Sequence, residues 1–269
     1  MNNMQDEQEG LICNIEDVIE NFCQNKKIYN VNLNSDEDKG IIEHFQLYNP
    51  PGDGDCFFHC IAKYLKISSL KNRQQRRQQQ LHGNNDDNDE KIVSGKELRN
   101  FMSNYIHNLA FWVDKECKPL DVSQTLNILQ NQKIIVKEIY ADYKNANPNF
   151  SNPQLIRELA SNEILHFYPF ILEQDDNQEN SMQDQLIKIA ININNPQVYI
   201  GDELAITIMQ ILYPQLNISV LIPQTFNNGW VFKYGNLQQK INLYSNSQQQ
   251  KHTFLFLMFG HYYLFVLKK

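Results

Sequence analysis

The sequence has no surplus of basic residues. With 24 Lys and Arg against 31 Asp and Glu, the formal net charge is -7 and the isoelectric point lies near 5.5. Binding to nucleic acid needs Lys and Arg gathered along one face, so nucleic acid is not an expected partner. Paired cysteines are also missing. The five Cys, at 13, 23, 56, 60 and 117, are odd in number and none forms a CxxC pair. This indicates neither a disulfide framework nor a zinc knuckle, and it fits a reducing, intracellular compartment, cytoplasm or nucleus. The opening MNNMQDEQEG carries acids where a secretory signal would carry a basic stretch and an apolar run, so export is not expected. No apolar run reaches the roughly 20 residues of a membrane-spanning helix. The longest, Phe254 to Leu267, has 14 residues with Gly260-His261 in its middle, and reads as two buried strands. No internal repeat is present. Breakers are few, 10 Gly and 9 Pro, whereas Asn and Gln number 34 and 26, a compositional habit and not a motif.

What is present is apolar material: 42% of residues are hydrophobic and 11% aromatic. That suffices for one large domain burying roughly 70 to 75% of its unfolded surface. Residues 1–40 are acidic and polar and read as an N-terminal extension. Their one amphipathic stretch, with Leu11, Ile12, Ile15, Val18, Ile19 and Phe22 at helical spacing, predicts a single helix. A domain over 41–269 follows. Its β-like run Ile41 to Phe45 stops at the breaker cluster Asn49-Pro50-Pro51-Gly52, and a helix is expected to open near Cys56. Residues 71–91, KNRQQRRQQQLHGNNDDNDEK, are too polar to offset their ordering entropy and read as a disordered insertion. Helices are expected at 96–112, two or three between 122 and 193, and at 202–212. Strands are expected at 218–222, 230–234, 240–244, 254–259 and 262–267. Helices first and strands last, with one strand early, predict an α/β or α+β fold in which a mostly C-terminal sheet is flanked by helices.

The chemistry concentrates in Asp53-Gly54-Asp55-Cys56-Phe57-Phe58-His59-Cys60. A thiol in the first turn of a helix faces unsatisfied backbone N–H groups and the positive end of the helix dipole, which favours the thiolate. The Gly-bearing turn before it can aim backbone N–H groups, that of Cys56 included, at a developing oxyanion. A cysteine nucleophile also needs a base. His261 is the best placed of the seven His, between two apolar runs at the start of a buried strand. Cys60, one helical turn past Cys56, reads as core. The other six His show no ligand spacing, so neither a metal nor a cofactor is expected.

The block PPGDGDCFFHCIA resembles the nucleophile segment of the ovarian tumour (OTU) family of cysteine deubiquitinases, Asp-Gly-[Asn/Asp]-Cys-[Leu/Phe]-[Phe/Tyr]. Three further pieces are similar to family motifs, in the family's order: Glu97-Leu98-Arg99 through Tyr105-Ile106, Ile200-Gly201-Asp202-Glu203-Leu204, and Gly260-His261-Tyr262. The resemblance spans roughly residues 45–267. It implies a papain-like thiol protease fold that removes ubiquitin, or a ubiquitin-like protein, from lysine side chains. It implies that Cys56 is the nucleophile, His261 the base and Asp53 the loop aspartate. Gly54, Asp55 and Gly260 then line the path of the substrate tail.

Two positions depart from the family. Ile200 replaces a Trp, and Tyr263 stands where an Asp or Asn usually orients the imidazole. A phenol beside the ring cannot stabilise an imidazolium as a carboxylate does, so activity is expected to be weak unless another acid substitutes. Asp53 and Asp55 are the nearest by sequence. The alternative expectation is a catalytically weak or inactive OTU-like module that binds ubiquitin or assembles with a larger complex.

Overall fold

The computed structural model describes residues 10–26, 43–79, 93–151, 181–197, 199, 201, 203–226, 229–233, 253–258 and 261–268. The chain is mixed α/β and divides into two compact units, Met1–Gly95 with Gln215–Lys269, and Lys96–Pro214.

In the first unit the described strands are β1 (Leu11–Cys13), β2 (Phe45–Asn49), β3 (Ile218–Phe226), β4 (Gly229–Lys233), β5 (Thr253–Met258) and β6 (His261–Leu267). They form one sheet in the order β1-β2-β6-β5-β3-β4. Only the β3–β5 pairing is parallel. The long apolar run 254–267 therefore does split into two strands, paired from Met258↔His261 to Leu255↔Leu264. Its near-continuous apolar character follows from position. β5 and β6 lie inside the sheet, and Leu255, Phe256, Tyr262, Leu264 and Phe265 are all buried, as strands covered on both faces require.

Helix α1 (Ile15–Lys26) buries Ile15 and Ile19, one turn apart. Its start corrects the expected helical face. Asn14 accepts the Val18 N–H through its carbonyl at 3.3 Å, and its side chain donates to Asp17 at 3.1 Å, so the helix begins after Asn14. Leu11 and Ile12 instead lie in β1, in register with Asn49 and Tyr48. The first forty residues thus supply an edge strand and a helix to the sheet-bearing unit; residues 1–9 and 27–42 lie outside the described residues. Gly10 permits that approach. A Cβ there would stand 2.4 Å from the Asn49 carbonyl oxygen and 2.6 Å from the Tyr48 ring. Gly10→Ala should cost about 1–3 kcal/mol by urea unfolding, because backbone and a buried ring must give way; an unchanged midpoint would show that β1 is dispensable.

Helix α2 (Cys56–Gln79) buries Phe57, Phe58, Cys60 and Ile61 completely and packs on β6, where the Phe57 and Tyr262 rings meet edge-on at 5.2 Å. Its length corrects the expected disorder from residue 71 onward, since the helix runs on to Gln79. Gln, Arg and Lys are good helix formers, no Gly or Pro interrupts 56–79, and a helix nucleated by its packed half extends at little cost. The rest of the polar tract, 80–92, lies outside the described residues, as does the strand expected at 240–244.

In the second unit, α3 (Gly95–Leu109), whose first residue Gly95 still belongs to the first unit, is followed by a 3-10 turn (Ala110–Trp112), α4 (Leu120–Ala146), α5 (Met182–Ile193) and α6 (Glu203–Leu212). Pro119 precedes α4, Asn147-Pro148 follows it, and the Ser181 hydroxyl caps α5 by accepting the Asp184 N–H at 3.2 Å. Arg99, 2% exposed, donates to the Ile193 and Tyr199 carbonyls, and Ser103 donates to the Ala190 carbonyl at 2.8 Å. A buried guanidinium is tolerable because such donations replace its water. Gly201 holds φ at 107°, the left-handed region, just before α6. No helix among the described residues is long and apolar enough to cross a membrane.

Candidate active site

The site lies within the first unit, where the turn 52–55 delivers the chain into α2. Cys56 is the first residue of that helix, 2% exposed, and no acid sits in the helix's first turn. The N-terminal end therefore acts on the thiol without an acidic side chain from that turn opposing it. The turn is internally braced. Asp53 Oδ1 accepts the Asp55 N–H at 2.9 Å, Gly54 takes φ 90°, and the Asp55 carbonyl accepts the His59 N–H at 2.8 Å as the first bond of the helix. Asp55's amide is thus committed within the turn, and its buried side chain sits at the N-cap.

The other Asp53 oxygen accepts from His59 Nε2 at 2.9 Å. Partial burial pushes the Asp53 carboxyl up, but hydrogen bonds from His59 and from the Asp55 amide outweigh it and hold the group below the ordinary carboxylate value. Asp53, Asp55 and His59 are the grouping of metal-type ligand atoms among the described residues, all within 4.8 Å of one another. Their mutual hydrogen bonds already account for the arrangement.

His261 opens β6 and is half-buried. Its Nε2 lies 2.9 Å from Asn49 Oδ1. An amide oxygen only accepts, so Nε2 carries the proton and Nδ1 is the nitrogen left with a lone pair in the neutral ring. Burial lowers the imidazole pKa from its ordinary 6.5, and the Asp53 charge opposes that shift. Asn49 follows from sheet register. Tyr48 pairs with Leu264, so the next antiparallel step sets Asn49 across from Tyr263, on the face that His261 shares by two-residue alternation.

Tyr263 touches His261 as a ring, with centroids 4.7 Å apart at 75°. Its phenol is pushed up by burial, then by Cys13, Cys56 and Cys60, which sets Tyr263 within electrostatic reach of Cys56 while it touches His261. Of the two acids nearest by sequence, Asp53 acts on His261 only through its charge. Asp53 is bonded to His59, and the side chain that orients His261 is Asn49.

Cys60 is fully buried, donates to the Tyr262 carbonyl at 3.6 Å, and has its thiol pushed well above the ordinary value by burial, then by Cys56. It is core, as its spacing predicts. Gly260 and Asp202 lie outside the described residues, and Glu203 opens α6 in the other unit.

Sequence reasoning missed Asn49 and the pairing partner of Asp53. The one available signal for Asn49 was its place at the end of a strand just before Pro50-Pro51, facing a C-terminal strand 212 residues away. No protein-family model and no curated protein matches the chain.

Proposed function

We propose that the chain is a thiol isopeptidase of the OTU type, with the papain-like fold of that family, and that it cleaves ubiquitin or a ubiquitin-like protein from lysine side chains. The observation that carries the reading is His261 held through Nε2 by Asn49, on a sheet against which the Cys56 helix packs. Such an imidazole presents Nδ1 as a base. Cys56 Sγ attacks the carbonyl carbon of the terminal glycine of the ubiquitin tail while His261 takes the thiol proton. Backbone N–H groups of the 52–56 turn stabilise the oxyanion. As the intermediate collapses, the C–N bond breaks and His261 returns the proton to the lysine amine. Water activated by His261 then hydrolyses the thioester and restores the thiol. Asn49 keeps the tautomer throughout, a role a neutral amide can fill.

The direct test is release of a fluorophore from the ubiquitin C-terminus. A second reading, a ubiquitin-binding module without turnover, is favoured by the 2% exposure of Cys56, since a nucleophile must be reached. It predicts binding with no release.

The lowered His261 pKa gives a pH expectation. The acid limb of kcat/KM reports the first proton taken up by the Cys56–His261 pair. Burial disfavours the imidazolium, so activity should persist below pH 6.5, the ordinary value, and fall as pH drops through the lower folded-state value. The same shift should make the fold less stable as pH falls below 6.5, because the unfolded chain binds the proton first. A limb centred above pH 6.5 would contradict the assignment of His261.

A further inference from the structure

We infer that His59 is a positioning residue for the turn that carries the nucleophile, and that it acts through Asp53. The inference rests on the function proposed above, because it names what holds that same site in shape. Asp53 divides its carboxylate: Oδ1 takes the Asp55 N–H and Oδ2 takes His59 Nε2, each at 2.9 Å. His59 in turn donates its backbone N–H to the Asp55 carbonyl at 2.8 Å. Residues 53 to 59 are thus closed by a side-chain bond outside and a helical bond inside, with Cys56 between them. Gly54, at φ 90°, is the link in that span that resists displacement least.

The imidazole also has a seat. A Cβ on Gly95 would stand 2.6 Å from His59 Nδ1 and 2.9 Å from its backbone nitrogen, so a side chain at 95 would expel the ring. The His59 side chain is 14% exposed, whereas that of Asp53 is 49% exposed. A carboxylate this open is otherwise well hydrated and rotates away, and the fixed ring is what keeps its other oxygen on the Asp55 amide. The burden on His59 is geometric, because the oxyanion donors and the thiol share the turn it clasps.

The test uses the full chain with His59→Leu and His59→Gln. In His59→Leu, kcat for release of a ubiquitin C-terminal fluorophore should fall about 10- to 100-fold with KM little changed. Alkylation of Cys56 by iodoacetamide should slow far less, because that displacement builds no oxyanion. Backbone 15N relaxation should show added fast motion at Gly54 and Asp55 while the rest of α2 keeps its wild-type values. His59→Gln, whose amide N–H can reach the carboxylate, should restore both kcat and the rigid turn. If His59→Leu does not fold, His59→Asn, polar but too short to reach Asp53, serves with the same expectations. Unchanged relaxation at Gly54 and Asp55 in the variant lacking the bond overturns the inference, and so does a His59→Gln turn as mobile as that of His59→Leu. A wild-type protein that releases no fluorophore, with the relaxation differences as expected, refutes the proposed function and leaves the clasp standing.

Discussion

Cys56→Ala is expected to abolish isopeptide cleavage, a loss on the order of 10⁶-fold that reads as no detectable product, since the proposed chemistry runs through a single thiol. Cys60→Ala is the matched control. Both sulfurs are buried in the same helix one turn apart, and both substitutions remove the same atom, so each should cost about 1 kcal/mol of stability. They differ in chemistry. Cys56 opens the helix, whereas Cys60 lies deeper, bonded to the Tyr262 carbonyl with its thiol pushed well up by burial and so inert at neutral pH. Steady-state rates on a ubiquitin conjugate, with urea unfolding of both variants, separate the two effects. Equal loss of activity in both would mean that packing of α2 on β6, and not a nucleophile, had been measured.

Asn49→Ala should lower kcat about 100-fold, within the range supplied by a positioned acid-base group, because the imidazole loses the amide oxygen that fixes its tautomer. Asn49→Asp keeps an acceptor in place and adds a charge. It should retain much of kcat and move the acid limb of kcat/KM to higher pH, since a neighbouring carboxylate favours the imidazolium and raises its pKa. Tyr263→Phe preserves the ring that packs at 4.7 Å and should change kcat little. If Asn49→Ala is as active as wild type while Tyr263→Phe is crippled, the phenol and not the amide orients His261.

These expectations depend on contacts of unequal legibility. The Cys56 helix start was readable because the signals are local: a Gly-bearing turn, an Asp, then an unbroken apolar pattern. The two C-terminal strands were readable because a 14-residue apolar run is too short for a membrane and is interrupted at Gly260-His261. β1 was not, since three residues carry little periodicity and Leu11 and Ile12 fitted the helical face of the stretch that follows. What placed them in a strand is the open edge of β2 and the absence of a Cβ on Gly10, neither visible from one segment alone. The end of α2 was missed for the opposite reason, because composition argued for disorder while propensity argued for helix, and the packed half of α2 decided it. Asn49 was hidden twice, once among 34 Asn and once by the 212-residue separation that only strand pairing closes. Sequence proximity instead favoured Asp53 and Asp55 as partners of His261, although Asp53 had a nearer partner in His59.

The most direct measurement is reaction of the full chain with ubiquitin carrying a C-terminal electrophile, followed by peptide mapping of the adduct. One covalent adduct is predicted, located at Cys56, absent from Cys56→Ala, and slower to form in Asn49→Ala. An adduct mapping to the exposed Cys117, or tight binding of the probe with no adduct at all, would contradict the account.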